Sequence, residues 1–167
     1  MLYSMSDARG TGNSSSQSAT TLDPEALAVA RRIRARECAR VGLFPLHAGL
    51  QVMPTARRLA LAFQALGDRV DVLDTESPPA SAERTGTPDA NDRPAALERA
   101  LEDSSARFDR VLVAFGKPAV AGPAASLLYI LDGVAFVARS GGATEFRLHK
   151  WLRRIDPQRR LGVLLVE

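Results

Sequence analysis

Cysteine, lysine, aromatic residues and long apolar runs are all scarce in this chain. Cys38 is the single cysteine, so no disulfide can form within the chain, and a reducing compartment is expected. No apolar segment approaches the roughly 20 residues that a membrane-spanning helix requires, and the polar N-terminus lacks the apolar core of a signal peptide. These absences predict a cytoplasmic protein that meets a membrane only peripherally, at the inner membrane surface.

The scarcity of lysine leaves arginine as the main positive charge. Lys117 and Lys150 are the only lysines, yet the 22 basic and 19 acidic residues give a net charge of only +3. A balance this mild does not favour a nucleic-acid partner, although the arginines keep a nucleic-acid or partition-type adaptor open as an alternative. The length of 167 residues predicts one domain, over 21–167, after a disordered tail at 1–20 that is rich in Ser, Thr, Gly and Asn.

Three consecutive segments predict a strand, a helix and a strand. Val41 to Leu46 is a short apolar run, and Pro54 to Gly67 is apolar at helical spacing with proline near its start and glycine at its end. Arg69 to Asp74 then alternates and contains β-branched residues, which is typical of a strand. Together they have the length of a right-handed crossover between parallel strands.

The rest of the chain continues the alternation. Asp23 and Pro24 are a typical helix start. Further helices are predicted over 94–104, 122–131 and 143–154, further strands over 108–115, 133–138 and 161–166, and a surface loop over 75–93. Strands that alternate with helices, without hairpin signals, predict an α/β three-layer sandwich around a mainly parallel five-stranded sheet.

The loop after the first strand is where a phosphate site would lie in such a fold, at the N-terminus of the next helix. Here the loop spans 47–53 and contains one glycine, Gly49, and no lysine. Pro54 also removes a backbone N–H donor at the place where an anion would bind. The loop is therefore predicted not to hold a phosphate.

Four segments carry a resemblance to a known family. In their order, the stretches 59–74, 108–113, 131–144 and 161–166 resemble the MinD/ParA-type P-loop ATPases. Within that group the chain is most similar to the bacterial tyrosine kinases (BY-kinases) and related proteins of exopolysaccharide export, over about 25–167. The best segment is Asp132-Gly133-Val134 with the following Arg139. The resemblance implies the MinD-like P-loop NTPase fold.

The same resemblance implies that the nucleotide pocket is degenerate. Leu46 and Gln51 stand at glycine positions of the phosphate-binding loop, Val52 at its lysine, and Met53 at its Mg-binding hydroxyl. Asp74 matches the aspartate of the second acidic motif, with Glu76 near its next acid, but Ala114 replaces the metal-binding Walker B aspartate. Catalysis in P-loop enzymes depends on these groups, so the resemblance implies no enzymatic activity, no cofactor and no metal.

A non-enzymatic role in polysaccharide export is what the resemblance then implies. We expect an assembly or regulatory component of bacterial exopolysaccharide synthesis and secretion. Its partner would be an inner-membrane polysaccharide co-polymerase or an active kinase relative, and a homo-oligomer remains open. The alternative is a nucleotide-dependent ATPase or kinase with a nonstandard pocket built around Asp74.

Arginines are the candidate partner-binding residues. Arg31 and Arg34 match two positions of the E-x-x-R-x-x-R oligomerisation motif that the resemblance places in the first helix, with Ala28 at the acid. Arg153 and Arg154 belong to a basic cluster near the C-terminus. A solvated helix face is the simpler reading of both groups, and a docking surface for acidic groups or anionic lipid head groups is the alternative.

Three remaining residues have chemically active side chains but no supporting pattern. His47 and His149 each lack a second ligand at metal spacing, so no metal site is predicted. Cys38 follows an arginine-rich helix, which could lower the pKa of its thiol, but a buried structural thiol is the prediction.

Overall fold

A five-stranded sheet forms the middle layer of the protein. The computed structural model describes residues 23–76, 93–117, 127–140 and 145–166. The strands pair in the order β2-β3-β1-β4-β5, and every neighbouring pair is parallel, which confirms the predicted parallel sheet. Their bounds are β1 (Arg40–Pro45), β2 (Val70–Asp74), β3 (Arg110–Ala114), β4 (Gly133–Arg139) and β5 (Arg160–Val166).

Helices cover both faces of this sheet, as the three-layer prediction requires. The β1–β2 crossover runs toward one edge of the sheet and the later crossovers run toward the other edge. Because parallel crossovers are right-handed, α2 lies on one face and the later helices on the opposite face, and α1 packs beside α2. The helices are α1 (Pro24–Arg34), α2 (Met53–Ala65), α3 (Arg93–Ser105) and α4 (Glu145–Leu152), followed by a 3-10 turn at Pro157–Arg159.

The apolar core is divided into two layers by the sheet. In β1, Val41 and Leu43 face the layer formed with α1 and α2, whereas Phe44 and the following Leu46 face the layer formed with α3 and α4. The strand is apolar at nearly every position because both of its faces are buried. None of the described helices is long and apolar enough to cross a membrane.

The start of α1 is held by a carboxylate. Asp23 accepts a hydrogen bond from the backbone N–H of Glu25 at 2.9 Å, and Pro24 occupies the first turn, which confirms the predicted helix start. Asp23 also forms an ion pair with Arg58 of α2. Partial desolvation works to raise the pKa of Asp23, but the hydrogen bonds from Glu25 and Arg58 outweigh it and hold the pKa below its ordinary value.

Element boundaries differ from the predicted ones by a few residues. β3 begins at Arg110 rather than at 108, because the backbone N–H of Phe108 still bonds to Ser104 O of α3, at 2.9 Å. α4 ends at Leu152, so Arg153 and Arg154 lie in the turn that follows it and not in the helix. The predicted tail at 1–20, most of the predicted 75–93 loop and the first half of the predicted 122–131 helix lie outside the described residues. The prediction of a helix to 131 is wrong, because the chain turns after Leu127, where Ile130 N–H bonds to Leu127 O at 3.2 Å.

A buried ion pair joins three elements at the amino ends of the strands. Arg110 Nε donates to Asp68 Oδ2 at 2.7 Å, and these side chains are only 10% and 11% exposed. The Arg110 guanidinium also donates to the carbonyl of Cys38 and lies 5.1 Å from the centre of the Phe63 ring. Asp68 follows α2 and Cys38 precedes β1. The contacts of Arg110 therefore fix the start of β3 relative to the end of α2 and the start of β1.

Replacing Asp68 with asparagine should lower the free energy of unfolding by about 3–5 kcal/mol, because it leaves the Arg110 charge buried without its counter-ion. The matched control is Asp109→Asn, which breaks the exposed 3.2 Å pair between Asp109 and Arg69. Exposed pairs contribute little, so this control should change stability far less. Urea unfolding followed by circular dichroism measures both variants, and equal losses would contradict the structural role of Asp68.

Candidate functional site

The carboxyl ends of β1 and β3 form the crevice where a ligand would bind in this fold. β1 and β3 are neighbours, but the chain leaves β1 toward β2 and leaves β3 toward β4, on the other side of β1. Connections that depart in opposite directions open a crevice between two parallel strands. The candidate site therefore lies between the loop after β1 and the residues that follow β3.

A cleft of about 730 Å³ occupies this crevice. Of the residues that the sequence comparison placed in the degenerate pocket, all but Leu46 line it, and Leu46 is fully buried beneath. The structure thus brings together residues from three separate parts of the chain: Gln51, Val52, Met53, Asp74 and Ala114.

The loop that borders the cleft turns into α2 without a side-chain cap. Leu46 N–H bonds to Val137 O at 2.9 Å, Leu50 N–H reaches back to His47 O at 3.4 Å, and Gly49 adopts a φ of 77°. Glycine accepts that left-handed conformation without strain, so it permits the sharp turn. Val52 precedes α2 and makes no side-chain capping hydrogen bond.

Apolar side chains from this loop enter the core. Leu50 and Val52 are 7% and 2% exposed and belong to the layer formed with α1 and α2, and the half-buried Met53 packs against the same layer. Gln51 is exposed. At the positions where the resemblance places a phosphate-binding lysine and a metal-binding hydroxyl, the loop therefore presents packed aliphatic groups, which offer an anion or a cation no polar contact.

The end of β3 is equally apolar. Ala114 is 1% exposed and lies in register with Leu43 of β1 and Asp74 of β2. Next to it, the Phe115 ring stacks on Phe44 with centroids 3.8 Å apart. A methyl group at position 114 cannot bind a metal, whereas the aspartate expected there in an active relative could.

Apart from Gln51, the polar side chains of the cleft come from the last residue of β2 and from the residues that follow β2 and β3. Asp74 accepts a hydrogen bond from the backbone N–H of Glu76 at 2.9 Å, and Thr75 Oγ1 accepts one from Gly116 N–H at 3.4 Å. A Cβ at position 116 would collide with the Glu76 side chain, so glycine there lets Glu76 lie across the β3 end. Lys117 completes this side of the cleft.

A second cleft, of about 700 Å³, lies on the other side of the same loop. Its polar lining includes Asp23 and Arg58, which form the ion pair between α1 and α2, and Arg139 at the end of β4. Arg139 belongs to the segment that carries the family resemblance, and it is exposed.

The four predicted partner-binding arginines are not brought together. The Arg31 side chain is exposed on α1 and makes no hydrogen bond or ion pair within the described ranges, whereas Arg34 donates to Leu66 O at 2.7 Å and lies 3.7 Å from Asp68. Arg153 and Arg154 are exposed just after α4, on the opposite face of the sheet from α1. Arg34 is therefore at least partly a structural residue, and Arg31 is the freer of the two.

Other candidates take structural positions. Cys38 is buried, and that burial raises the pKa of its thiol, with the Asp132 charge acting in the same direction, as befits a structural thiol. The buried pair of Asp68 and Arg110 was missed at the sequence level, although an arginine inside an otherwise apolar strand is a signal that could have found it. His47 Nε2 is buried without a hydrogen-bond partner in the described structure.

Solved structures of kinase domains share this fold. No protein-family profile and no curated protein matches the chain. The chimerical protein CapA2B2 matches with a TM-score of 0.67 and 13% identity, over 90% of this chain and 86% of the other. The kinase domain of the Escherichia coli tyrosine kinase ETK matches with a TM-score of 0.61 and 13% identity, over 83% and 74% of the two chains.

The BceF tyrosine kinase domain is a further match, with a TM-score of 0.57 and 17% identity over 83% of this chain and 74% of its own. Identities this low establish the fold and not the activity. The chain thus has the P-loop-like α/β fold of bacterial tyrosine kinase domains, as its sequence resemblance implies.

Replacing Val52 with lysine tests whether the loop after β1 is part of the apolar core. The new ammonium group would enter a site that is 2% exposed, so we expect the free energy of unfolding to fall by about 2 kcal/mol, without a gain in ATP binding. Gln51→Lys is the matched control, since it places the same charge one residue away on an exposed position and should be nearly neutral. Equal stability of the two variants, or ATP binding by Val52→Lys, would contradict this account.

Proposed function

We propose that the protein is a non-catalytic assembly or regulatory component of bacterial exopolysaccharide synthesis and secretion. The observation that carries the proposal is a kinase-like fold whose phosphate loop is packed with Leu50 and Val52 and whose metal position is the buried Ala114. The polysaccharide context comes from the sequence resemblance. The protein would act in the cytoplasm and reach the inner membrane through its partner.

Loss of catalysis follows from the chemistry of phosphoryl transfer. That reaction has little covalent chemistry for a protein to supply, so P-loop enzymes accelerate it with a lysine, a metal ion and backbone N–H groups around the phosphates. Here Val52 replaces the lysine, Ala114 replaces the metal ligand, and Pro54 lacks one N–H. What remains is the folded scaffold and its surface, which suits binding to another protein.

Calorimetric titration of the purified protein with ATP and magnesium should give no saturable heat. A thermal-stability assay with ATP, ADP and GTP should show no shift, whereas a ligand present at a hundred times its Kd would add about 2.7 kcal/mol to the free energy of unfolding. Loss of the gene should alter surface polysaccharide. Unchanged polysaccharide would refute the proposed role even if no nucleotide binds.

A nucleotide-dependent enzyme is the second candidate, and the cleft beside Asp74 is what favours it. That cleft has the volume of a typical small-molecule site and contains Asp74, Glu76 and Lys117. A saturable ATP isotherm that Lys117→Ala weakens would support this candidate and exclude the first. A nucleic-acid adaptor remains a third candidate, and it requires binding that weakens steeply with added salt.

Arg31 is the residue through which we expect an acidic partner surface to dock. It is exposed and free of ion pairs in the described part of the chain. Arg31→Glu should weaken binding to the cytoplasmic region of the co-polymerase, or to the active kinase relative, by about fivefold. The matched control is Arg99→Glu on α3, an equally exposed arginine with the same charge change on the opposite face. Surface plasmon resonance measures both, and equal effects would indicate a nonspecific charge effect.

A further inference from the structure

Within the described residues, no strand pairs with the outer edge of β5. β5 is the last strand of the sheet in the described structure, and from Leu161 to Val166 it contains neither a charged residue nor a proline. Sheet edges in stable proteins are usually guarded by charges, prolines or covering elements, because a free edge presents unpaired N–H and C=O groups. An unguarded edge of this length is the geometry of a strand-pairing interface.

One face of β5 is apolar and uncovered. Val163 and Leu165 lie in register with Phe136 and Ala138 of β4, so they point to the same face as those two core residues. α4 contributes Leu148, Trp151 and Leu152 to that face. Val163 and Leu165 nevertheless remain 37% and 67% exposed, so the apolar layer extends from β4 onto β5 and is open to solvent there.

We propose that β5 pairs antiparallel with β5 of a second copy of this chain, with the two-fold axis at Leu164. That register places Val163 of each copy directly opposite Leu165 of the other, on the same face of the joined sheet. Opposite residues of an antiparallel pair contact each other, so the four exposed side chains would close into one apolar cluster. The result is a continuous sheet through both copies.

A second copy suits this edge better than an unrelated strand because the edge is complementary to itself. The paired segment runs from Gly162 to Val166, so the register encloses no charge, and Arg160 lies beyond it. The irregularity in the pairing of β4 with β5 lies at Leu161, just before Gly162 with its φ of 124°, so it falls outside the paired segment and does not interrupt the central pairs. This pairing does not depend on the function proposed above.

Sedimentation equilibrium of the full chain over a range of concentrations tests the pairing. We expect a monomer–dimer equilibrium with a micromolar Kd, and Leu165→Lys should raise that Kd by about tenfold or more because each dimer receives the charge twice. Leu61→Lys is the matched control, since Leu61 is an exposed leucine on α2 and its change should leave the Kd unaltered. A chain that stays monomeric up to its solubility limit, or a dimer insensitive to Leu165→Lys, would overturn the proposal.

Disulfide trapping tests the register without introducing a charge into the strand. Mixing Val163→Cys protein with Leu165→Cys protein should yield a cross-linked dimer under mild oxidation, because those positions face each other. Each variant alone should cross-link poorly, because equal positions lie too far apart across the axis for a disulfide. Cys38 is buried and serves as the internal negative control. Equal cross-linking in the mixed and single samples would refute the register.

Discussion

The buried pair of Arg110 and Asp68 is the contact on which the arrangement of the central strands depends. It joins the start of β3 to the turn after α2, while the same guanidinium holds the carbonyl that precedes β1. Burial of two charges is tolerated because each finds an opposite charge or a carbonyl. The register of β2 with β3 then places Asp74 directly beside Ala114 at the carboxyl edge.

At that edge, the apolar packing of the loop after β1 both stabilises the fold and determines the lining of the cleft. The apolar side chains of Leu50 and Val52 strengthen the layer beneath α1 and α2 because they leave water. The same packing puts hydrocarbon where a phosphate-binding loop needs a cation and open backbone donors. A cleft nevertheless remains beside this packed loop, and Asp74, Glu76 and Lys117 line its other side. The cleft is therefore bordered by an apolar loop on one side and by polar side chains on the other.

The likeness to tyrosine kinase domains at 13–17% identity shows that chains with few residues in common share this α/β fold. The crevice of this chain is described by its own residues: the aliphatic side chains of the loop after β1, Ala114 at the end of β3, and the polar groups that follow β2 and β3. Two surfaces of the protein differ in chemistry: Arg31 presents an exposed positive charge on α1, and the β5 edge presents the exposed side chains of Val163 and Leu165.

Local sequence patterns determined the elements and the fold class. Apolar runs, helical spacing and the Asp23-Pro24 start predicted the strands and helices to within a few residues, because burial on one or both faces leaves a period in the sequence. The family resemblance also indicated that the loop after β1 has other residues at the glycine and lysine positions of the phosphate-binding motif. Predicted segments such as 1–20 lie outside the described residues and stay predictions.

Only the tertiary structure decided which of these residues meet. The strand order brings Val52, Asp74 and Ala114 into one cleft, although they are far apart in the chain, and it separates Arg31 from Arg153 by the full thickness of the sandwich. The tertiary structure also places Arg34 near Asp68, and it places β5 at one edge of the described sheet. No periodicity encodes these facts, because they arise from long-range packing of elements whose own patterns say only which face is apolar.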